Sequence, residues 1–161
     1  MNPFRNKAQE FQTAYDLYAD MLYRLALSYM KNREVAEDIV QEVFTKYFTG
    51  LHMPMSGEQE KAWFIRVTVN QCHDAFRKKS HRLHDSLEDV IEIAGQEDPE
   101  TQELFAALEK LPDTYRDVIV LHYLEGYSVE ESAKLLRLSS SAAKMRLKRG
   151  RELLKNELEK E

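Results

Sequence analysis

Between Lys134 and Arg151 the sequence places seven lysines and arginines and no acid, and between Arg77 and Arg82 it places four more, again with no acid. Cationic groups at such density neutralise phosphates, which is the chemistry of nucleic-acid binding. A merely solvated helix face mixes both signs, so the acid-free run of the first stretch sets it apart. Leu83 to Glu103 is the reverse, with eight acids and no Lys or Arg. Two basic surfaces are thus separated by an acidic tether, within a chain whose formal net charge is -5.

Other chemistries find little support. Cys72 is the single cysteine, which excludes an internal disulfide framework and reads as a small buried hydrophobe. Cys72, His73, His81 and His84 crowd together, but His73 directly follows Cys72 and no zinc spacing is met. There is no Gly-rich phosphate cradle and no serine in a nucleophile elbow. Neither a metal, a cofactor nor an enzymatic activity is expected. No window approaches the length of an apolar span, and Met1 to Glu10 is polar, so membrane insertion is not expected and a cytoplasmic location is.

Helices must position these charges. The chain is 43% apolar and has only 5 Gly and 4 Pro, which predicts an all-α fold of two small helical domains. Phe11, Tyr15, Tyr18, Leu22, Leu25 and Tyr29 recur at helical spacing and predict a first helix over about Gln9 to Met30. Asn32 offers an N-cap for a second, about Arg33 to Thr49, with Val35, Ile39, Val43 and Tyr47 on one side. Gly50, Pro54 and Gly57 mark a loop. Ser56 and Gln59 have capping-box spacing for a third helix, Gly57 to Lys79, with Ile65, Val69, Cys72 and Phe76 as its buried stripe. Residues 9–79 thus form the first domain, and 80–98 read as an acidic linker holding at most a short helical piece near Leu87 to Ile93.

The second domain, 99–158, opens on Asp98 and Pro99, an N-cap and N1 pair. Helices follow over about Pro99 to Lys110, Pro112 to Leu124, Val129 to Leu136 and Ser140 to Leu158. Gly126 suits a left-handed residue after a helix, Ser128 with Glu131 makes a second capping box, and Ser139 caps the last helix. A short helix, a brief break and a longer basic helix is the helix-turn-helix pattern, whose second helix enters the DNA major groove. In that helix Ala143, Leu147, Gly150 and Leu154 should face the core. Ser140, Ser141, Lys144 and Lys148 are then the candidates for reading bases, while Arg146, Arg149 and Arg151 flank them as phosphate contacts.

Three stretches together resemble the sigma-70 family of sigma factors, in its small extracytoplasmic-function (ECF) group. Leu111 to Leu154, LPDTYRDVIVLHYLEGYSVEESAKLLRLSSSAAKMRLKRGRELL, is similar to region 4, the helix-turn-helix that binds the −35 element. Met21 to Phe48, MLYRLALSYMKNREVAEDIVQEVFTKYF, resembles regions 2.1 to 2.2, and Ala62 to Lys79, AWFIRVTVNQCHDAFRKK, resembles regions 2.3 to 2.4. The resemblance implies promoter recognition, DNA melting and transcription initiation. Its implied partners are core RNA polymerase, through the β′ clamp and the β flap, promoter DNA, and an anti-sigma factor, often membrane-anchored.

Roles follow position by position from the resemblance. Asp38, Gln41, Glu42 and Phe44 match the segment that docks on the β′ clamp coiled coil. Asn70, Asp74 and Arg77 match the N-x-x-x-D-x-x-R pattern of region 2.4, and the loop Gly50 to Lys61 corresponds to the one that takes a flipped −10 base. Arg66 and Arg77 to Lys79, Lys78 among them, would lie along the melted strand. Trp63 is either a stacking platform for that strand or part of the core. Two departures stand out: Arg137 occupies the turn where the family has Gly, a position wanting positive φ, and Ala142 and Ala143 replace a larger Thr–Val pair. The competing reading is a stand-alone helix-turn-helix regulator, which leaves Glu37 to Phe48 without a purpose and normally wants a dimerisation surface.

Overall fold

In a computed structural model the backbone is described for residues 3–50, 55–82 and 98–160, and side chains for 7–50, 55–78 and 98–160. The short helical piece expected near Leu87 to Ile93 and the middle of the loop after Gly50 lie outside those residues. All regular structure among the described residues is helical, and the chain divides into two compact units, Met1–Phe76 and Arg77–Glu161.

Three helices build the first unit: α1 (Pro3–Met30), α2 (Arg33–Thr49) and α3 (Gly57–Arg82), the last running on past the unit's boundary. Helix α1 begins earlier than its apolar periodicity suggests, because Pro3 stands at the first helical position, where its missing N–H is harmless. It ends at Lys31, whose φ of 54° is left-handed and whose N–H bonds the Leu27 carbonyl at 2.9 Å. Asn32 then starts α2, its side chain accepting from the Val35 N–H at 3.1 Å. With so short a connection, α2 folds back on α1.

The core of this unit is wider than the periodicity predicts. Leu22, Leu25, Ala26 and Tyr29 from α1 meet Ala36, Ile39, Val40, Val43 and Phe44 from α2 and Phe64, Ile65, Val69 and Cys72 from α3. Phe76, expected in the α3 stripe, is only half-buried, while Phe64 and Thr68 are fully buried. Thr68 enters the core without penalty because its hydroxyl donates to the Phe64 carbonyl at 2.7 Å. Phe64 is the hub of an aromatic cluster, its ring centre 5.0 Å from Tyr18 and Phe44 and 4.9 Å from Tyr47.

The second unit holds α4 (Pro99–Lys110), α5 (Asp113–Ile119), α6 (Val129–Leu135) and α7 (Ser140–Glu159). Asp98 caps α4 as expected, its carboxylate accepting the Thr101 N–H at 2.8 Å, and that bond holds the Asp98 carboxyl below its ordinary range. The single helix expected over Pro112 to Leu124 is instead α5 followed by a wider π turn, Val120–Leu124, in which Glu125 bonds back five residues to Val120 at 2.9 Å. Gly126, at φ 80°, ends it. Leu108, Leu111, Val118, Ile119 and Leu147 form the apolar centre, covered by Leu104, Phe105, Val129, Leu136, Leu138, Leu153 and Leu154.

The largest feature absent from the sequence reading is Arg116, buried to 5% exposure. Its guanidinium donates to the carbonyls of Leu108, Glu109 and Leu111 at 2.9, 3.2 and 2.5 Å and to Asp113 at 2.7 Å. Those carbonyls lie in the last turn and C-cap of α4, where Leu108 also accepts the Leu111 N–H at 3.1 Å, so one buried side chain caps one helix and fixes the start of the next.

Candidate nucleic-acid interface

Helix α6 is started by a complete capping box: Ser128 N–H donates to the Glu131 carboxylate at 3.2 Å, and Glu131 N–H to the Ser128 hydroxyl at 3.0 Å. It stops at Arg137, whose φ is 58°. The Leu138 N–H reaches the Ala133 carbonyl at 2.8 Å and the Arg137 N–H reaches Lys134 at 3.2 Å, the paired bonds of a Schellman turn. Arg137 therefore adopts the glycine-like conformation and carries its strain, and no other turn geometry replaces it. Leu138 packs on the apolar centre, and Ser139 caps α7, accepting from Ala142 N–H at 3.1 Å. The turn is thus determined on both sides.

Ala143, Leu147 and Gly150 of α7 are buried, and Leu154 is half-buried at the same edge. Ser140, Ser141, Lys144, Lys148 and Arg149 are exposed and Arg146 is half-buried. Among the described residues no carboxylate lies within ion-pair distance of Lys144 or Lys148. Arg149 differs, for Glu152 sits 3.3 Å from it on the next turn. Arg151 donates to the Tyr123 hydroxyl at 2.7 Å, which ties α7 to the π turn. The Arg149–Glu152 pair follows from i,i+3 spacing on one helix, whereas the Tyr123 partner of Arg151 comes from another element and is not legible in the sequence.

On α3, Trp63, Arg66, Asn70, Asp74 and Arg77 succeed one another at intervals of three and four residues, so they share one face of the helix. Asn70, Asp74, Arg77 and Lys78 are exposed, and Arg66 is half-buried. Trp63 is half-buried too, its ring 5.1 Å from Phe64 and 6.0 Å from Tyr47. Tyr47 also donates to the Glu60 carboxylate at 2.8 Å, which clamps the end of α2 to the start of α3 and frames the intervening loop. Burial, then the bond to Glu60 and its charge, push the Tyr47 phenol well above its ordinary pKa.

Helix α2 turns Asp38, Gln41 and Glu42 to solvent. Phe44 does not join them. It is 2% exposed, with its ring 5.0 Å from those of Tyr15 and Phe64, so it belongs to the core and is unavailable to a partner. Asp38, Gln41 and Glu42 face outward because Ala36, Ile39, Val40, Val43 and Phe44 bury the opposite side of the helix.

The chain matches the family model of Sigma-70 region 2 over residues 14–82 and that of Sigma-70, region 4 over residues 101–154. RNA polymerase sigma factor SigV of Bacillus subtilis (strain 168) is 36% identical over 143 residues, covering 86% of this chain and 85% of its own length. The chain belongs to the ECF sigma factors of the sigma-70 family. ECF RNA polymerase sigma factor SigW of the same organism is 31% identical over 169 residues, covering 92% and 88% of the two chains. The fold of this sigma factor is also that of CnrH, solved in complex with the cytosolic domain of CnrY, at TM-score 0.63 and 24% identity over 92% of this chain and 87% of that one. As a sigma factor it confers promoter recognition on RNA polymerase and acts in transcription initiation. The match over both halves, region 2 included, disfavours a stand-alone regulator. No described helix of the sigma factor is long and apolar enough to cross a membrane.

Proposed function

We propose that this sigma factor divides its task among three outward faces. Asp38, Gln41 and Glu42 of α2 dock on a basic surface of core RNA polymerase, the β′ clamp. Trp63, Arg66, Asn70, Asp74, Arg77 and Lys78 hold the melted −10 strand along α3. Ser140, Ser141, Lys144, Arg146, Lys148 and Arg149 bind the −35 duplex, with the serines and lysines toward the bases and the arginines toward phosphates. The observation that carries this reading is the direction of α7: Ser140, Ser141, Lys144 and Lys148 point to solvent, away from buried Ala143, Leu147 and Gly150.

The protein performs no chemistry of its own and works in the cytoplasm, where polymerase and DNA are. Its regulator is an anti-sigma factor that covers the DNA-binding faces. The solved relatives support this, since CnrH was captured with CnrY, and RpoE of Bartonella quintana, at TM-score 0.62 and 24% identity over 93% of this chain and 97% of that one, with the anti-sigma factor NepR.

The test is polymerase binding. Free protein is expected to bind duplex DNA weakly, because its net charge of -5 opposes its basic faces, and core polymerase is expected to confer specific binding. Asp38→Lys and Glu42→Lys should each abolish polymerase binding with helicity unchanged. Survival of polymerase binding in both variants removes the docking face, and tight specific binding by the free protein at physiological salt restores the stand-alone regulator.

A further inference from the structure

Met145 is 72% exposed, more than any other exposed large hydrophobic side chain of the described residues; Leu17 follows at 64%. A single exposed hydrophobe is ordinary on a protein surface. Its position is what distinguishes Met145. It lies midway between buried Ala143 and Leu147, two residues from each, so at about 100° per residue it points almost directly away from the core stripe. It stands in the second turn of α7, with exposed Ser141 one turn before it and exposed Lys148 and Arg149 one turn after. An apolar thioether thus occupies the outermost line of a surface whose other exposed side chains from Ser140 to Arg149 are hydroxyls and cations, with Glu152 following two turns on.

The major groove presents one apolar feature to such a side chain, the 5-methyl group of thymine. Methionine suits that contact, because its unbranched, polarisable side chain follows irregular apolar surfaces. We propose that Met145 is a specificity-determining residue that packs on a thymine methyl of the −35 element. The proposal rests on α7 being the recognition helix. Lys144 and Lys148 flank it and donate to base acceptors, but neither can distinguish a methyl from its absence.

The test uses holoenzyme and a promoter found by run-off transcription, with each thymine of the −35 element, on either strand, replaced in turn by deoxyuridine. That substitution removes the methyl and preserves every hydrogen-bonding group. One position should weaken wild-type holoenzyme by roughly fourfold, the effect of one buried methyl. In Met145→Ala holoenzyme thymine and uracil should bind alike at that position, and Met145→Leu should restore most of the difference. The proposal is overturned if no position is methyl-sensitive, if the element contains no thymine, or if Met145→Ala retains the full uracil effect. Scrambling the whole −35 element separates the two failures: if wild-type holoenzyme ignores it, α7 is not the reading helix at all, whereas sensitivity to scrambling without methyl sensitivity overturns Met145 alone.

Discussion

Gly150 lies so close to Ile119 that a Cβ on it would stand 3.2 Å from both Cδ1 and Cγ1 of that residue, and 3.5 Å from Tyr115 Cβ. Helix α7 meets α5 at this point, so the missing side chain sets how closely α7 beds on its support. Gly150→Val is expected to destabilise the second unit by about 1–3 kcal/mol through overpacking. Gly150→Ala should be nearly neutral, because the helix propensity gained, about 1 kcal/mol, offsets a small shift of Ile119. Denaturant unfolding of the two variants checks the pair, and equal stability of Gly150→Val and wild type would refute the close approach.

Arg116→Met keeps the buried stem of the side chain and removes its donors. The carbonyls of Leu108, Glu109 and Leu111 then lose a partner, and the expected loss is at least about 2 kcal/mol of unfolding free energy. The Asp113 contact contributes little to that loss, since its carboxylate is 42% exposed. Asp113→Asn should therefore be mild by the same unfolding measurement; a severe Asp113→Asn beside a mild Arg116→Met reverses the assignment.

Arg137 holds φ 58° in the turn of the helix-turn-helix. A non-glycine residue there costs roughly 1–2 kcal/mol in steric strain, so Arg137→Gly should raise the melting temperature, with a net gain of about 1 kcal/mol after the extra backbone entropy of glycine. Arg137→Val should lower it. Thermal unfolding followed by circular dichroism decides the sign.

Asn70→Ala tests the division of labour between the two proposed DNA faces. If Asn70 helps hold an extruded −10 base, its loss falls on the melted state, by up to roughly tenfold for one or two hydrogen bonds. Closed binding by the holoenzyme should persist through α7. Permanganate reactivity of unpaired thymines, read beside a gel shift, separates the two steps, and normal reactivity in the variant leaves Asn70 as surface only.

The local signals of this chain were written in its sequence. Asn32, Asp98, Ser128 with Glu131, and Ser139 each cap the helix expected of them, because a cap bonds within three residues and needs no distant partner. The same holds for the buried edge of α7 and for the segregation of charge, which rest on spacing alone. The family motifs likewise span contiguous stretches.

What tertiary structure decided lies where one residue's environment is supplied by a distant element. Phe44 shares its segment with Asp38, Gln41 and Glu42, yet it is core, because Tyr15 and Phe64 close over it from two other helices. Arg116 looks like any solvent-seeking cation until the end of α4 delivers its carbonyls. Arg137 takes a glycine's conformation because Leu138, packed on the apolar centre, and the Ser139 cap hold the turn from the far side. Periodicity assigns a residue to a face of its own helix, but only packing against the other helices determines how much of that face is covered.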